Sequence, residues 1–115
     1  MRAARGFPFQ SLDCYLVAKE LAQRVHTAKI GDKELRDQAA RASKSTFLQL
    51  CEGLPNDGAA MRRRYFTLSN DSLHETIGAV DLAAAIGAMR PEDAAAVHAL
   101  GIRLKCMLRG LLHSK

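Results

Sequence analysis

Apolar residues recur along the chain every three to four positions, and β-branched runs with period-two alternation are absent, so the pattern predicts helices throughout. Leu12, Tyr15, Leu16, Leu21, Ala22 and Val25 share one broad face, with Lys19, Glu20 and Arg24 off it. Ser11 is a good N-cap, which predicts a first helix from Leu12 to about Lys29. Gly31 is the expected left-handed stop and Asp32 the next N-cap, with a second helix continuing to Glu52. Gly53, Pro55, Asn56 and Gly58 mark a loop. A third helix is expected from near Ala59 to about Met89, roughly 45 Å at a rise of ~1.5 Å per residue. Arg90-Pro91-Glu92-Asp93 reads as a turn, with proline at the first helical position and acids in the first turn. The fourth helix carries Val97, Leu100, Leu104, Met107, Leu108 and Leu111 on its apolar side. Four helices with short connections predict an all-α, up-down-up-down four-helix bundle. Residues 1–10, holding Gly6, Phe7, Pro8 and Phe9, are expected to form an irregular arm, and residues 11–115 one bundle domain.

Polar residues interrupt two of these stripes. Met61, Tyr65, Leu68, Ser72, Glu75, Ala79, Leu82, Ile86 and Met89 are separated by alternating steps of four and three, a heptad seam with a polar middle. In the second helix Leu35, Gln38, Ala42, Ser45, Gln49 and Glu52 step likewise, beside a more apolar stripe through Ala39, Thr46, Phe47 and Leu50. Polar groups withdrawn from water must be paired or they cost a few kcal/mol each. The expectation is a buried structural network of Gln38, Ser45, Gln49, Glu52, Ser72 and Glu75 that fixes helix register. Gly78 and Gly87, isolated in the third helix, are expected to permit close helix contact. Leu16, Val17, Phe47, Leu48, Leu54, Phe66 and Leu112 fall partly outside the main stripes, which predicts an exposed apolar patch and a homo-oligomer.

Composition narrows the classes. The chain has 115 residues, 48% hydrophobic and 25% charged, which argues against wholesale disorder. Its longest apolar candidate, Ile77 to Met89, is interrupted by Asp81 and falls short of the roughly 20 residues of a membrane span. The first eight residues are basic without an apolar stretch, so a cytoplasmic location is expected. Cys14, Cys51 and Cys106, odd in number and far apart, suit reduced thiols. A formal charge of +5 biases the chain toward polyanions. Arg62, Arg63, Arg64, Arg103, Lys105 and Arg109 are the candidate nucleic-acid donors, with a merely solvated face as the competing reading. Aromatics are few, so binding to RNA or DNA should be electrostatic and weakly sequence-specific. His74-Glu75 lacks the second histidine of a zinc motif, and His26, His74, His98 and His113 have no ligand spacing. Neither Ser45 nor Ser72 has the partners a nucleophile needs. No metal, cofactor or catalytic role is therefore expected. Two functions stay open: a nucleic-acid-binding accessory protein, and a protein-interaction scaffold with no nucleic-acid role, serving an unidentified protein.

The segment from Leu35 to Glu75 carries a further signal. Gln38, Arg41-Ala42, Ser45-Thr46 and Gln49-Leu50-Cys51-Glu52-Gly53 are followed by Phe66, Ser69, Asp71-Ser72 and Glu75, with Phe9-x-x-Leu12 and Ala18 upstream. This order and spacing resembles the bacterial four-helix-bundle family named for reading frames in intervening sequences of 23S rRNA genes. The family's pattern has Ile, Asn, Ala and Gly where this chain has Thr46, Gln49, Cys51 and Asp71. The resemblance implies a left-handed bundle that assembles into a ring, a pentamer among relatives, with no catalytic activity. A related group, the accessory proteins of diversity-generating retroelements, looks like a basic pentameric barrel that binds nucleic acid and a reverse transcriptase.

Overall fold

The computed structural model describes residues 12–113. Four helices occupy most of them: α1 (Asp13–Thr27), α2 (Lys33–Gly53), α3 (Ala59–Ala85) and α4 (Pro91–His113). Each packs against its sequence neighbours and α1 closes onto α4, so the four surround one core. The longest dimension, 43 Å, is close to the length of the 27-residue α3 at ~1.5 Å per residue. Leu21 and Val25 of α1, Leu50 of α2, Phe66, Leu73 and Val80 of α3, and Val97, Leu104 and Leu108 of α4 are all buried. The apolar side expected of the fourth helix is the side that faces this core, with Met107 and Leu111 half-buried at its margin. The expected Ser11 cap and the arm at residues 1–10 lie outside the described residues.

The helix ends have local causes. Asp32 caps α2, its carboxylate accepting from the Leu35 backbone N–H at 2.9 Å. Gly31 is not left-handed; among the described residues only Gly87 is, with φ 76°. There the Ala88 N–H donates to the Ala83 carbonyl (2.8 Å) and the Gly87 N–H to the Ala84 carbonyl (3.1 Å). That is the paired bonding of a Schellman stop, and it ends α3 at Ala85 rather than near Met89. Met89 turns inward and is buried, while Gly31 joins the α1–α2 loop to this corner through its N–H to the Ala88 carbonyl (2.7 Å). α1 stops at Thr27, because Ala28 is already extended.

The buried faces depart from the expected seams by one residue. On α3 the buried positions are Phe66, Ser69, Leu73, Thr76, Ala79, Val80 and Ala83, so of the expected seam on this helix Ala79 is buried, while Met61, Leu82 and Ile86 are exposed. α2 buries Ala39, Ala42, Ser43, Thr46, Leu50 and Gly53, mostly small side chains that let α3 approach closely. Ser69 Oγ reaches across to donate to the Thr46 carbonyl at 2.7 Å, and Thr46 Oγ1 donates to the Ala42 carbonyl at 2.8 Å. The close-packed glycines are Gly53 and Gly101. A Cβ at Gly53 would lie 2.7 Å from Phe66 Cε1, and one at Gly101 would lie 2.6 Å from Ile77 Cδ1. At Gly78 and Gly87, where close contact was expected, a Cβ would meet nothing within 4 Å.

Of the residues expected to form an apolar patch, only Leu16 and Leu48 are exposed. Val17 and Phe66 are core, and Phe47, Leu54 and Leu112 are half-buried. Phe47 packs on Tyr15 with ring centroids 5.2 Å apart, which accounts for its withdrawal from the surface. All three cysteines are free, with Cys14 buried and Cys106 exposed. Among the described residues no helix is long and apolar enough to cross a membrane.

Candidate nucleic-acid interface

The expected polar network divides in two. Ser45 Oγ and Ser72 Oγ share a hydrogen bond of 2.8 Å across the α2–α3 seam. Glu75 is ion-paired with Arg41 and accepts from Gln38 Nε2 at 3.2 Å. Neither group is fully buried: Gln38 and Glu52 are exposed, while Ser45, Gln49, Ser72 and Glu75 are half-buried. Among the described residues neither Gln49 nor Glu52 hydrogen-bonds to the other members. The fully buried polar side chains are instead Ser43, Thr46, Ser69 and Thr76, one position away from the expected line. Each donates to a backbone carbonyl, so their hydroxyls are satisfied without a charged partner. The hydroxyls close the interior, and the ionic cluster sits above them as an outer seam.

The arginine triplet also divides. Consecutive helical positions are about 100° apart, so three adjacent side chains leave α3 in three directions. Arg62 turns back onto the end of α2. Its Nη1 donates to the carbonyls of Leu54 (2.8 Å), Gly53 (3.3 Å) and Asn56 (3.3 Å), and its guanidinium lies over the Phe66 ring, 5.0 Å from the centroid. It thus caps carbonyls that α2 leaves without helical partners. Of the three arginines expected as nucleic-acid donors here, Arg62 is thus the one whose guanidinium is engaged within the fold. Arg63 and Arg64 are exposed; Arg64 shares a ridge with Leu68 and Glu75 on the α2 side.

Arg63 looks the other way, toward α4. With Asp57, Ala59, Arg62, Phe66, Leu111 and Leu112 it lines a concavity of about 240 Å³, at the end of the molecule where α3 begins and α4 finishes. Farther along the same α3–α4 junction, a slot of about 180 Å³ is lined by Leu73, His74 and Ile77 from α3 and His98, Gly101, Ile102 and Lys105 from α4. Helical spacing joins the two recesses. Arg63, Thr67, Asn70, His74 and Ile77 form one ridge of α3, and His98, Ile102, Lys105, Arg109 and Leu112 form the facing ridge of α4. Arg109, four residues beyond Lys105, is exposed on this ridge. Arg103 is exposed but one position round the helix, outside the groove.

Charge is uneven along the chain. The stretches 58–70 and 94–115 carry seven of the 17 Lys and Arg residues and none of the 12 acids. The remainder sets ten cations against twelve acids, so the whole positive excess comes from these two stretches. They are the stretches that supply Arg63, Lys105 and Arg109 to the groove, which meets acids at its two ends, Asp57 beside Arg63 and Asp81 beyond Ile77. The known ion pairs, Arg24–Glu20, Lys33–Asp37, Arg41–Glu75 and Arg90–Glu92, all lie elsewhere.

His74 and His98 line the slot together, a placement that sequence reasoning missed. Lone histidines without ligand spacing gave no signal, and only the packing of α3 on α4 brings them to one slot. His74 Nδ1 bonds to the Asn70 carbonyl at 2.8 Å, which leaves Nε2 for another partner. Among the described residues no three His, Cys, Asp or Glu side chains converge as a metal site would require. When the chain is compared with known proteins, no family model and no curated protein matches it.

Proposed function

We propose that this chain is a non-enzymatic, self-associating four-helix bundle that binds nucleic acid, RNA foremost, through the α3–α4 groove. One observation carries the reading: Arg63, Lys105, Arg109 and two histidines occupy the facing ridges of one groove, and those ridges carry no acid between Arg63 and Ile77, with Asp57 standing at the Arg63 end. Cations on both walls neutralise phosphate and release its counterions. Three phosphate contacts on a single strand would make affinity fall about 20-fold between 50 and 200 mM salt. Fluorescence anisotropy with a labelled RNA at both salt concentrations tests this. Lys105→Glu and Arg109→Glu should each weaken binding and flatten the salt dependence, whereas Arg103→Glu should do less. Absence of binding at 50 mM salt would overturn the proposal.

Membership of the intervening-sequence family, a left-handed supercoil, a pentameric ring and a cytoplasmic location belong to the same proposal. The motif residues on α2 and α3 support the family reading, and the exposed Leu48, Leu82 and Ile86 on those helices support self-association. A ring would repeat the basic groove around its axis and raise the field each phosphate meets. Those exposed apolar side chains equally favour the second reading, a scaffold for another protein. Light scattering separates the two: a multiple of 12.6 kDa supports self-association, and a monomer with no nucleic-acid affinity favours the scaffold.

A further inference from the structure

The slot in the α3–α4 groove has a composition that phosphate binding alone does not require. Its floor is apolar, formed by Leu73, Ile77 and Gly101, and Ile102 stands at its mouth with 53% of its surface exposed. His74, His98 and Lys105 surround that floor. Gly101 lets Ile77 pack directly on the α4 backbone, where its Cδ1 lies 2.6 Å from the place a Cβ would take, so the Ile77 side chain forms part of the slot's apolar wall. A dry cavity of about 150 Å³ lined by aliphatic and aromatic side chains accommodates benzene. A recess of about 180 Å³ is therefore the size for one planar ring, and too small for a drug-sized ligand.

We infer that this slot receives a single unpaired base, so that the groove binds single-stranded nucleic acid in preference to duplex. The inference rests on the groove reading above and adds the class of nucleic acid to it. A base offers an apolar face to Ile77 and Ile102 while its flanking phosphates meet Lys105 and, one turn on, Arg109. In a duplex the bases are stacked and paired, and none can enter without unstacking at a cost of a few kcal/mol. Aliphatic walls do the work that aromatic side chains do elsewhere, which fits a chain with 5% aromatic residues. Since every base has such a face, the slot selects strandedness and only weakly selects sequence.

The test uses the full chain and three labelled probes of equal length at 50 mM salt: a single-stranded oligonucleotide, the same strand with abasic sites, and its duplex. The single strand should bind about tenfold more tightly than the abasic strand, the range expected for losing one stacked base. Ile102→Ser, a change at an exposed position that alters no charge, should weaken the single strand several-fold and leave duplex and abasic binding unchanged. Lys105→Glu should weaken all three probes. Equal affinities for single and abasic strands, or an undiminished preference in Ile102→Ser, would overturn the slot while leaving the groove standing. No binding of any probe would overturn the groove itself.

Discussion

Replacing Arg62 by alanine should destabilise the fold, whereas the same change at Arg63 or Arg64 should not. The magnitude follows from what each guanidinium touches. Arg62 places one short bond on the Leu54 carbonyl and two longer ones on Gly53 and Asn56, all from Nη1. One nitrogen cannot serve three acceptors at full strength, so the set is worth about one charge-assisted bond, ~1.5–3 kcal/mol. The stack on Phe66 adds about 0.5–1 kcal/mol, and part of the total returns when water replaces the guanidinium. A net loss of about 1.5–3 kcal/mol is expected. For a chain of 115 residues this corresponds to a fall in Tm of roughly 5–15 °C. The assay is thermal and urea unfolding of Arg62→Ala, Arg63→Ala and Arg64→Ala in parallel, with Arg62→Lys as the charge-preserving control. Lysine keeps the cation near the α2 terminus and loses the planar fork, so it should recover only part of the loss. Equal melting of all three alanine variants would refute the assignment, as would full rescue by lysine.

Glu75→Ala should cost less than about 1 kcal/mol, because Arg41 and Glu75 retain 64% and 34% side-chain exposure, and most of that cost should vanish at high salt. Ser69→Ala removes a fully buried bond to the Thr46 carbonyl and should cost about 1 kcal/mol independently of salt; equal salt responses in urea melts would contradict the contrast. Gly53→Ala drives a Cβ into the Phe66 ring, which is fixed between the helix and Arg62, and should destabilise by about 1–2 kcal/mol. Gly101→Ala presses on the Ile77 side chain, Cδ1 at 2.6 Å and Cγ1 at 3.2 Å, whose flexible end can turn aside, so the gain in helix propensity should leave Tm within a few degrees of wild type. Thiol labelling should proceed at exposed Cys106 first, then at Cys51, and last at Cys14. Burial pushes the Cys14 and Cys51 thiols up, which further slows their modification in the folded protein; rapid Cys14 modification at neutral pH would count against the packing.

Elements and caps were readable from local rules because local chemistry sets them. Pro91 with Glu92 and Asp93, Asp32 before α2, and the apolar side of α4 each act within a few residues of their own backbone. The stop of α3 was harder. Both Gly31 and Gly87 satisfy the rule for a left-handed residue, and only the tertiary bond from Gly31 to the Ala88 carbonyl distinguishes a loop clamp from a helix terminus. The candidate site was less readable still. Arg62, Arg63 and Arg64 are alike in sequence, and their separation into a cap, a groove wall and an outer ridge depends on which helix lies beside α3 at each angle. His74 and His98 stand 24 positions apart on different helices, so no linear spacing could join them.

The one-residue displacement of the α3 seam has a physical reason that bears on function. α3 carries two stripes of heptad spacing, offset by a single position. The inner one runs through Phe66, Ser69, Leu73, Thr76 and Val80; the outer one through Met61, Tyr65, Leu68, Ser72, Glu75, Leu82 and Ile86. Periodicity alone cannot choose between them, because each contains hydroxyls and large apolar side chains. Packing chooses, since only the inner stripe supplies the Phe66 ring to fill the space beside Gly53 and the Ser69 hydroxyl to reach the Thr46 carbonyl. The outer stripe is then left with Leu82 and Ile86 more than half exposed at one end and a polar seam in its middle. A helix with such a second stripe serves a second neighbour, and among the four helices only α2 flanks it on that side. The remaining ridge of α3 faces α4 and carries Arg63 and His74. α3 therefore holds three distinct surfaces within one helix: a sealed inner one, a mixed apolar and polar one beside α2, and a basic one beside α4. The proposed self-association through the second and the proposed nucleic-acid binding through the third require no shared residue, so the one need not cover the other.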